Sequence, residues 1–308
     1  MMRKLAFFLF LLVSPLTVSA GNYPAVNVQK INDHIYAMLG GIDVPNKSNH
    51  GYVNNILVII GDAGVILVDA GSHKGIAKHI DKEIKKITSK PVTDILVTHH
   101  HGDHHLGASY FDNARVTASE YCAEQIRDRG ASLINGMSRM TGMNLSDTKA
   151  VVPSRVIPQN TRKHVNIQGV EVELITPAIA HTPGDMMVYL PNDGVLASGD
   201  VLVHGVNPNI ADGNLKSWLA VMDDIRQLPL KAVMPGHGDI MQPSDIAVFQ
   251  DLMNNLYNTV AEIYEAGGDM SQVREGLDIA RWQQLSRFDD MMGRNISAVW
   301  LQVEADSF

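Results

Sequence analysis

The stretch Thr98-His99-His100-His101-Gly102-Asp103-His104-His105 decides how this chain is read. It contains the pattern His-x-His-x-Asp-His and continues Asp94-Ile95-Leu96-Val97-Thr98, which reads as a buried strand. His99 and His101 stand two residues apart at the strand's end, so their side chains leave on one face. Neutral imidazoles are preferred ligands of zinc, and a carboxylate adds a hard anionic donor. The chain turns at Gly102, which swings Asp103 and His104 to a second position close by. One short loop therefore offers two metal positions. For this stretch alone, a solvated polar loop or a histidine run from biased composition is the alternative.

Upstream, the apolar runs 55–60 and 64–69 flank Gly61-Asp62-Ala63-Gly64, a hairpin signature. Ile76, Ile80, Ile84 and Ile87 then predict a helix over 74–88, stopped by Pro91. Downstream, a helix is expected over about 118–128, with Cys122 as a small buried hydrophobe. A Gly- and Met-containing stretch follows at 130–150, where Met137, Met140 and Met143 read as packing residues rather than a flexible flap. The second half echoes the first. Strands at 170–175, 186–190 and 195–198 precede an amphipathic helix over 215–228 and a strand at 231–234, which ends in Pro235-Gly236-His237-Gly238. Residues beyond 243 read as helical. Two sheets sandwiched by helices are expected, an α/β fold with no low-complexity linker.

Three later residues also stand at strand ends beside glycine or proline, where loops gather on one rim of a sheet: His181, Asp200 and His237. With these in place the chain resembles the metallo-β-lactamase superfamily of hydrolases over roughly residues 28–242, with its motifs in order. The resemblance implies an αββα four-layer sandwich with a helical C-terminal extension. It implies that His99, His101 and His181 bind one metal, that Asp103, His104 and His237 bind a second, and that Asp200 bridges them. All seven positions are filled. Asp103 would be both ligand and proton acceptor. Asp69 matches a family position that supports the histidine loop from behind, with an ordinary turn carboxylate as the alternative. His100 is expected to be structural and His105 to pack beneath the site; His204 reads equally as pocket wall or ordinary loop. On the same analogy the loop from Gly40 to Asn54 borders the substrate. In relatives helical extensions cover the mouth of the site, but Arg294 here reads as a surface residue.

Composition narrows the function. The 308 residues are 45% hydrophobic and 19% charged, enough for a packed core. Lys and Arg number 25 against 33 Asp and Glu, a net charge of -8 that argues against a nucleic-acid partner and leaves a small-molecule substrate as the expectation. A single cysteine excludes an internal disulfide. At the N-terminus, Arg3 and Lys4 precede an apolar run from Leu5 to Val13, and Val18-Ser19-Ala20 supplies small residues for cleavage. Residues 1–20 therefore read as a signal peptide, 21–242 as the hydrolase domain and 243–308 as a helical extension packed on it. The protein is expected to be exported, periplasmic or secreted, with no membrane span after cleavage. Oligomeric state has no signature in the sequence.

The expected activity is that of a dinuclear zinc hydrolase in which a metal-bridging hydroxide cleaves a small ester, lactone, thioester or related carbonyl substrate. Two zinc ions per chain suit this histidine-rich set best, with iron or manganese as alternatives. The lactamases that named the family commonly carry cysteine where Asp200 stands, or lack the bridging carboxylate, so the pattern is closer to glyoxalase II and related esterases. Export pulls against a cytosolic glutathione thioester. A class B-like β-lactamase is the first alternative, and a non-catalytic module that binds metal or ligand is the second.

Overall fold

Along Ile56–Ile60 every residue is apolar because both faces of the strand are covered: Ile56 and Val58 pack toward one side, Leu57 and Ile59 toward the other. That pattern recurs through the computed structural model, which describes residues 23–307. The proposed signal segment, 1–20, lies outside the described residues. One sheet has seven strands in chain order: β1 (Asn27–Lys30), β2 (Ile35–Leu39), β3 (Ile56–Ile60), β4 (Val65–Val68), β5 (Val92–Leu96), β6 (Arg115–Ser119) and β7 (Arg155–Ile157). The other comprises β8 (Thr161–Ile167), β9 (Val170–Thr176), β10 (Met187–Leu190), β11 (Val195–Gly199) and β12 (Ala232–Pro235), ordered β12-β11-β10-β9-β8.

Helices cover both outer faces. They are α1 (Lys74–Ile87), α2 (Gly102–His105), α3 (Glu120–Thr141), α4 (Leu215–Ile225), α5 (Asp245–Glu265), α6 (Val273–Gly276), α7 (Ile279–Gln283) and α8 (Phe288–Asp306). Three apolar layers separate the four structural ones. Leu57, Ile59 and Val68 meet Leu174, Val188 and Ala197 between the sheets. Ile76, Ile80 and Ile84 of α1 and Ile126 of α3 cover the first sheet, and Trp218, Met253 and Val299 belong to the layer over the second. The fold is the αββα sandwich, and α5 to α8 form the helical C-terminal extension. Among the described residues no helix is long and apolar enough to cross a membrane.

Two ββαβ units shape the rim. In the first, β3 and β4 are antiparallel, α1 crosses over, and β5 returns parallel to β4. In the second, β10 and β11 are antiparallel, α4 crosses over, and β12 returns parallel to β11. The loops that leave β4, β5, β11 and β12 at their C-terminal ends carry Asp69, the histidine stretch, Asp200 and His237, and the loop after β9 carries His181.

Two details differ from the sequence reading. The helix expected over 118–128 is instead β6 followed by the 22-residue α3, which runs through the Met-containing stretch to Thr141 and ends at Gly142 in the left-handed conformation. Ser119 caps it by accepting from the Cys122 backbone N–H, so the start falls later than expected. Strand β5 ends at Leu96, short of the histidines.

Candidate metal centre

The seven predicted ligands gather at the rim in two adjacent groups. His99 and His101 lie with ring centroids 4.7 Å apart, and His181 sits 4.7 Å from His99 and 4.8 Å from His101. His101 Nδ1 is 3.0 Å from His181 Nε2. The single turn α2 carries Asp103 and His104 to the other side of the pocket, where Asp103 Oδ2 is 3.6 Å from His104 Nε2 and 3.4 Å from His237 Nε2. Asp200 stands between the two groups. Its Oδ2 lies 3.6 Å from His181 Nε2, 3.9 Å from His99 Nε2 and 3.3 Å from His237 Nε2, and its Oδ1 lies 3.3 Å from His104 Nε2. His99, His101, His181 and Asp200 form one cluster with ligand atoms within 4.8 Å; Asp103, His104 and His237 form another.

These distances fit a metal. Four N or O donors about 2.1 Å from a tetrahedral ion lie roughly 3.4 Å from one another, in the middle of the observed range. The donors are also oriented for it, because every one of the five histidines commits its outer nitrogen elsewhere. His104 Nδ1–H donates to Asp69 Oδ2 at 2.7 Å. His101 Nε2–H donates to Asp212 Oδ2 at 2.9 Å, His181 Nδ1–H to the Asn209 carbonyl at 3.0 Å, and His237 Nδ1–H to the Val53 carbonyl at 2.8 Å. His99 Nδ1–H donates to Thr98 Oγ1 at 3.1 Å, and that hydroxyl donates its own proton to Asp69. The inner nitrogens are turned toward one another, where each can give a lone pair to a cation once any proton on it has left. His99 Nε2, His104 Nε2 and Asp200 Oδ1 are buried without a hydrogen-bond partner of good alignment, a deficit that a cation would relieve.

Charge follows the same arrangement. Burial holds His99 well below its usual range and pushes His181 down to about 3, so both rings are neutral. For His104, burial acts downward, but the carboxylates of Asp200, Asp103 and Asp69 outweigh it and raise it well above its usual value. The negative field that holds a proton there is the field that would attract a cation, whose binding releases the proton. Hydrogen bonding to His101 holds Asp212 down at about 2.

Local sequence explains the close fit. Asp69, one residue beyond β4, adopts φ 65° and is 1% exposed, and it accepts from the Thr98 backbone N–H and hydroxyl as well as from His104. Gly236 abuts Asp200 so closely that a Cβ there would overlap the Asp200 carboxylate and the Gly199 backbone. Trp218 of α4 is buried against the His181 ring, with centroids 5.6 Å apart, and is anchored by its Nε1–H to the Val201 carbonyl.

The cavity outside this cluster has a volume of about 380 Å³. Leu133, Met137 and Met140 of α3 form one wall, and Val203, Val206 and Pro208 form another. Met137 is buried with Leu106 and Leu145, while Met140 is 47% exposed at the edge, so these methionines belong to a helix and not to a flap. Pro45 lines the cavity from the loop between β2 and β3. His204 lines a separate cleft with Phe249 and Arg281, which removes it from the pocket wall. His100 and His105 are buried, and that burial pushes them down to about 4 and about 3. Arg294 is exposed; the extension's arginine that lines the cavity is Arg287.

Sequence reasoning missed Asp212, Asn209, Val53 and Arg287. Asp212 and Asn209 sit in a loop whose Asn, Asp and Gly content signals only a turn, and Val53 acts through its backbone. The extension braces that loop. Asn295 of α8 donates to the Pro208 carbonyl at 2.8 Å and accepts from the Ile210 N–H, and Gln302 bonds Gly213 and Leu215.

Residues 50–237 match the family described as the metallo-beta-lactamase superfamily. The chain is 27% identical over 238 residues to the 2,4-dinitroanisole O-demethylase subunit alpha of Nocardioides sp. (strain JS1661), covering 75% of this chain and 64% of that protein. It thus spans just under two thirds of that relative's length. It is 23% identical over 223 residues to a metallo-beta-lactamase type 2 of Bacillus cereus, covering 70% and 77% of the two chains. The solved metallo-beta-lactamase from Pontibacter korlensis superposes with a TM-score of 0.60 at 25% identity, over 75% of this chain and 100% of that one. By its matched sequence, its four-layer fold and the histidine and aspartate clusters at its rim, the chain belongs to the metallo-β-lactamase superfamily of metal-dependent hydrolases.

Proposed function

We propose that the protein hydrolyses a small carbonyl substrate, an ester, lactone or thioester, with two zinc ions. His99, His101 and His181 would hold one ion, Asp103, His104 and His237 the other, and Asp200 would serve both. The observation that carries this reading is the set of five outer N–H groups, each bound away from the pocket, which aims five inner nitrogens at the same small volume as two carboxylates. Bound there, divalent cations supply a strong oxygen nucleophile at neutral pH and polarise a carbonyl. The chain does the rest. Asp103 lines the cavity and is placed to accept the proton released when water attacks. Leu133, Met137 and Val206 exclude bulk water from the reacting carbonyl and pack its apolar substituent. Water adds to the acyl carbon, the bond to the leaving oxygen or sulfur breaks, and a carboxylic acid and an alcohol or thiol result.

A β-lactam amide is the second reading, favoured by the similarity to two metallo-beta-lactamases. The basic start, apolar run and small residues at the N-terminus support export to the periplasm or medium. The test is metal analysis together with turnover of an ester, lactone, thioester and chromogenic cephalosporin panel. Two zinc equivalents and chelator-sensitive hydrolysis are expected. Stoichiometric metal with no turnover would replace the enzyme with a binding module. A cephalosporin kcat/KM above about 10⁴ M⁻¹s⁻¹ would make the β-lactam reading primary.

A further inference from the structure

The cavity that contains His101, Asp103, Asp200 and His237 is also lined by two arginines, Arg139 of α3 and Arg287 just before α8. Asp103 and Asp200 are its carboxylates, and both belong to the candidate metal clusters. Among the described residues neither arginine makes a salt bridge. Arg287 contacts the weakly accepting Met291 sulfur at 3.8 Å, and its buried Nε has no partner. A half-buried guanidinium with unused donors is costly unless something else satisfies it.

Its backbone is fixed from two loops. The Ser286 N–H donates to the Gly205 carbonyl and the Asn207 N–H to the Ser286 carbonyl, so Val206 and Ser286 pair as a short parallel bridge. The Ser286 hydroxyl donates to the Ile42 carbonyl at 2.9 Å. Arg287 itself adopts φ 64°, a left-handed conformation uncommon for arginine, at the point where α8 begins. The extension therefore delivers a firmly held, unpaired, planar cation into the wall of the reaction cavity.

We infer, on the basis of the hydrolase reading, that Arg287 selects substrates by binding a carboxylate that they carry apart from the scissile carbonyl. A guanidinium offers paired N–H groups that match the two oxygens of a carboxylate, and the apolar walls strengthen that contact by excluding water. Arg139, exposed at the edge of the cavity, steers the anion inward and contributes less. The volume of about 380 Å³ places the scissile carbonyl and the second carboxylate within one small molecule.

The test compares two matched pairs on the zinc-loaded full chain. The first pair is mono-p-nitrophenyl glutarate and p-nitrophenyl pentanoate, read as the ratio of kcat/KM. The second is glutarate and glutaramate, read by calorimetric binding, which reports on Arg287 whether or not either ester is turned over. The wild-type protein is expected to prefer the carboxylate member of each pair by about tenfold or more, the scale of a charge-assisted bidentate contact. R287Q should bring both ratios near one, mainly through KM and binding, R287K should keep part of the preference, and R139Q should keep most of it. Equal treatment of the two members by the wild-type protein, or an undiminished preference in a folded R287Q variant, would overturn the proposal. Failure to hydrolyse either ester while the glutarate preference persists and disappears in R287Q would sink the hydrolase reading for such esters and leave the anion site standing.

Discussion

The two ββαβ units place an aspartate at the same topological position, directly after β4 and directly after β11, and use it for opposite purposes. Asp69 turns inward beneath the histidine loop, where it accepts from His104 and Thr98 and lies outside the cavity wall. Asp200 stands between the two histidine clusters and lines the cavity. The loops after the parallel strands differ too. The segment after β5 holds four candidate ligands in one loop and one short turn, whereas the segment after β12 holds His237 alone. Equivalent places in a repeated architecture thus carry different chemistry, and the neighbours of each carboxylate decide which.

The contrast is tested most severely by removing a residue from the cavity-facing side. Asp200→Ala or His101→Ala is expected to reduce turnover to background while far-ultraviolet circular dichroism stays native, since both residues lie on loops outside the sheets. Undiminished hydrolysis in a folded variant would show that the clusters do not perform the chemistry. Next in size are the residues behind the ligands. Asp69→Asn and Asp212→Asn should weaken zinc binding by about 10–100-fold, the usual effect of removing an outer partner of a metal ligand. Asp69 belongs at the upper end because it is buried and accepts from three groups, whereas Asp212 is partly exposed. Competition with a chromophoric chelator measures both, and the reverse order would contradict the assigned difference between the two carboxylates.

Stability separates the units further. The loop before α4 in the second unit hangs on the C-terminal extension through Asn295, so Asn295→Ala leaves the Pro208 carbonyl and Ile210 N–H unpaired. A loss of roughly 1–3 kcal/mol in denaturant unfolding is expected, together with weaker zinc binding through Asn209 and Asp212. Normal zinc affinity in that variant would show that the extension does not brace the site.

The smallest effect lies in the helix caps. The first crossover helix is capped by His73, whose Nδ1 accepts from the Gly75 N–H while Nε2–H donates to the His50 carbonyl. The second is capped by the non-titrating Asn214. Burial holds His73 below its usual value, partly opposed by the His50 carbonyl and by Asp147. The neutral ring is therefore favoured in the fold: its contribution is complete above the unfolded value near 6.5 and declines as pH falls below it. At most about 1.4 kcal/mol per pH unit is involved. Melting curves between about pH 7.5 and 5.5 should show a steeper loss for the wild type than for His73→Gln, and parallel profiles would remove His73 from the pH response.

Much of the fold was legible in the chain itself. Ile76, Ile80 and Ile84 announce α1 because their spacing puts them on one face, and the runs around Gly61 to Gly64 announce the β3–β4 hairpin for the same local reason. The outer strands were not legible. Asn27–Lys30 is largely exposed and Thr161–Ile167 mostly so; β1 is held in place by pairing with β2, and β8, whose only apolar residues are Val165 and Ile167, by its hairpin with β9. The length of α3 was hidden because Gly130 and Gly136 look like breaks. In the fold Gly130 lets Ala150 pack against α3, and Gly136 meets little beyond the Arg139 side chain.

The site divides along the same line. Residue type and short spacing were enough to nominate His99, His101, Asp103 and His104, because a donor's chemistry travels with its side chain. The partner of each donor's second nitrogen was beyond reach: Asp212 lies 111 positions from His101, and Val53 lies 184 from His237. Those partners fix which nitrogen carries the proton, and therefore which one can bind a cation. The same holds for the cavity's unpaired cation. The extension's sequence offers Arg294 as readily as Arg287, and the packing around the start of α8 brings Arg287 to the wall. Donor atoms and the local elements that present them were written in the order of the residues. Tautomer and charge balance came from the folded arrangement alone, because each depends on what a side chain meets across the molecule and not on what precedes it in the chain.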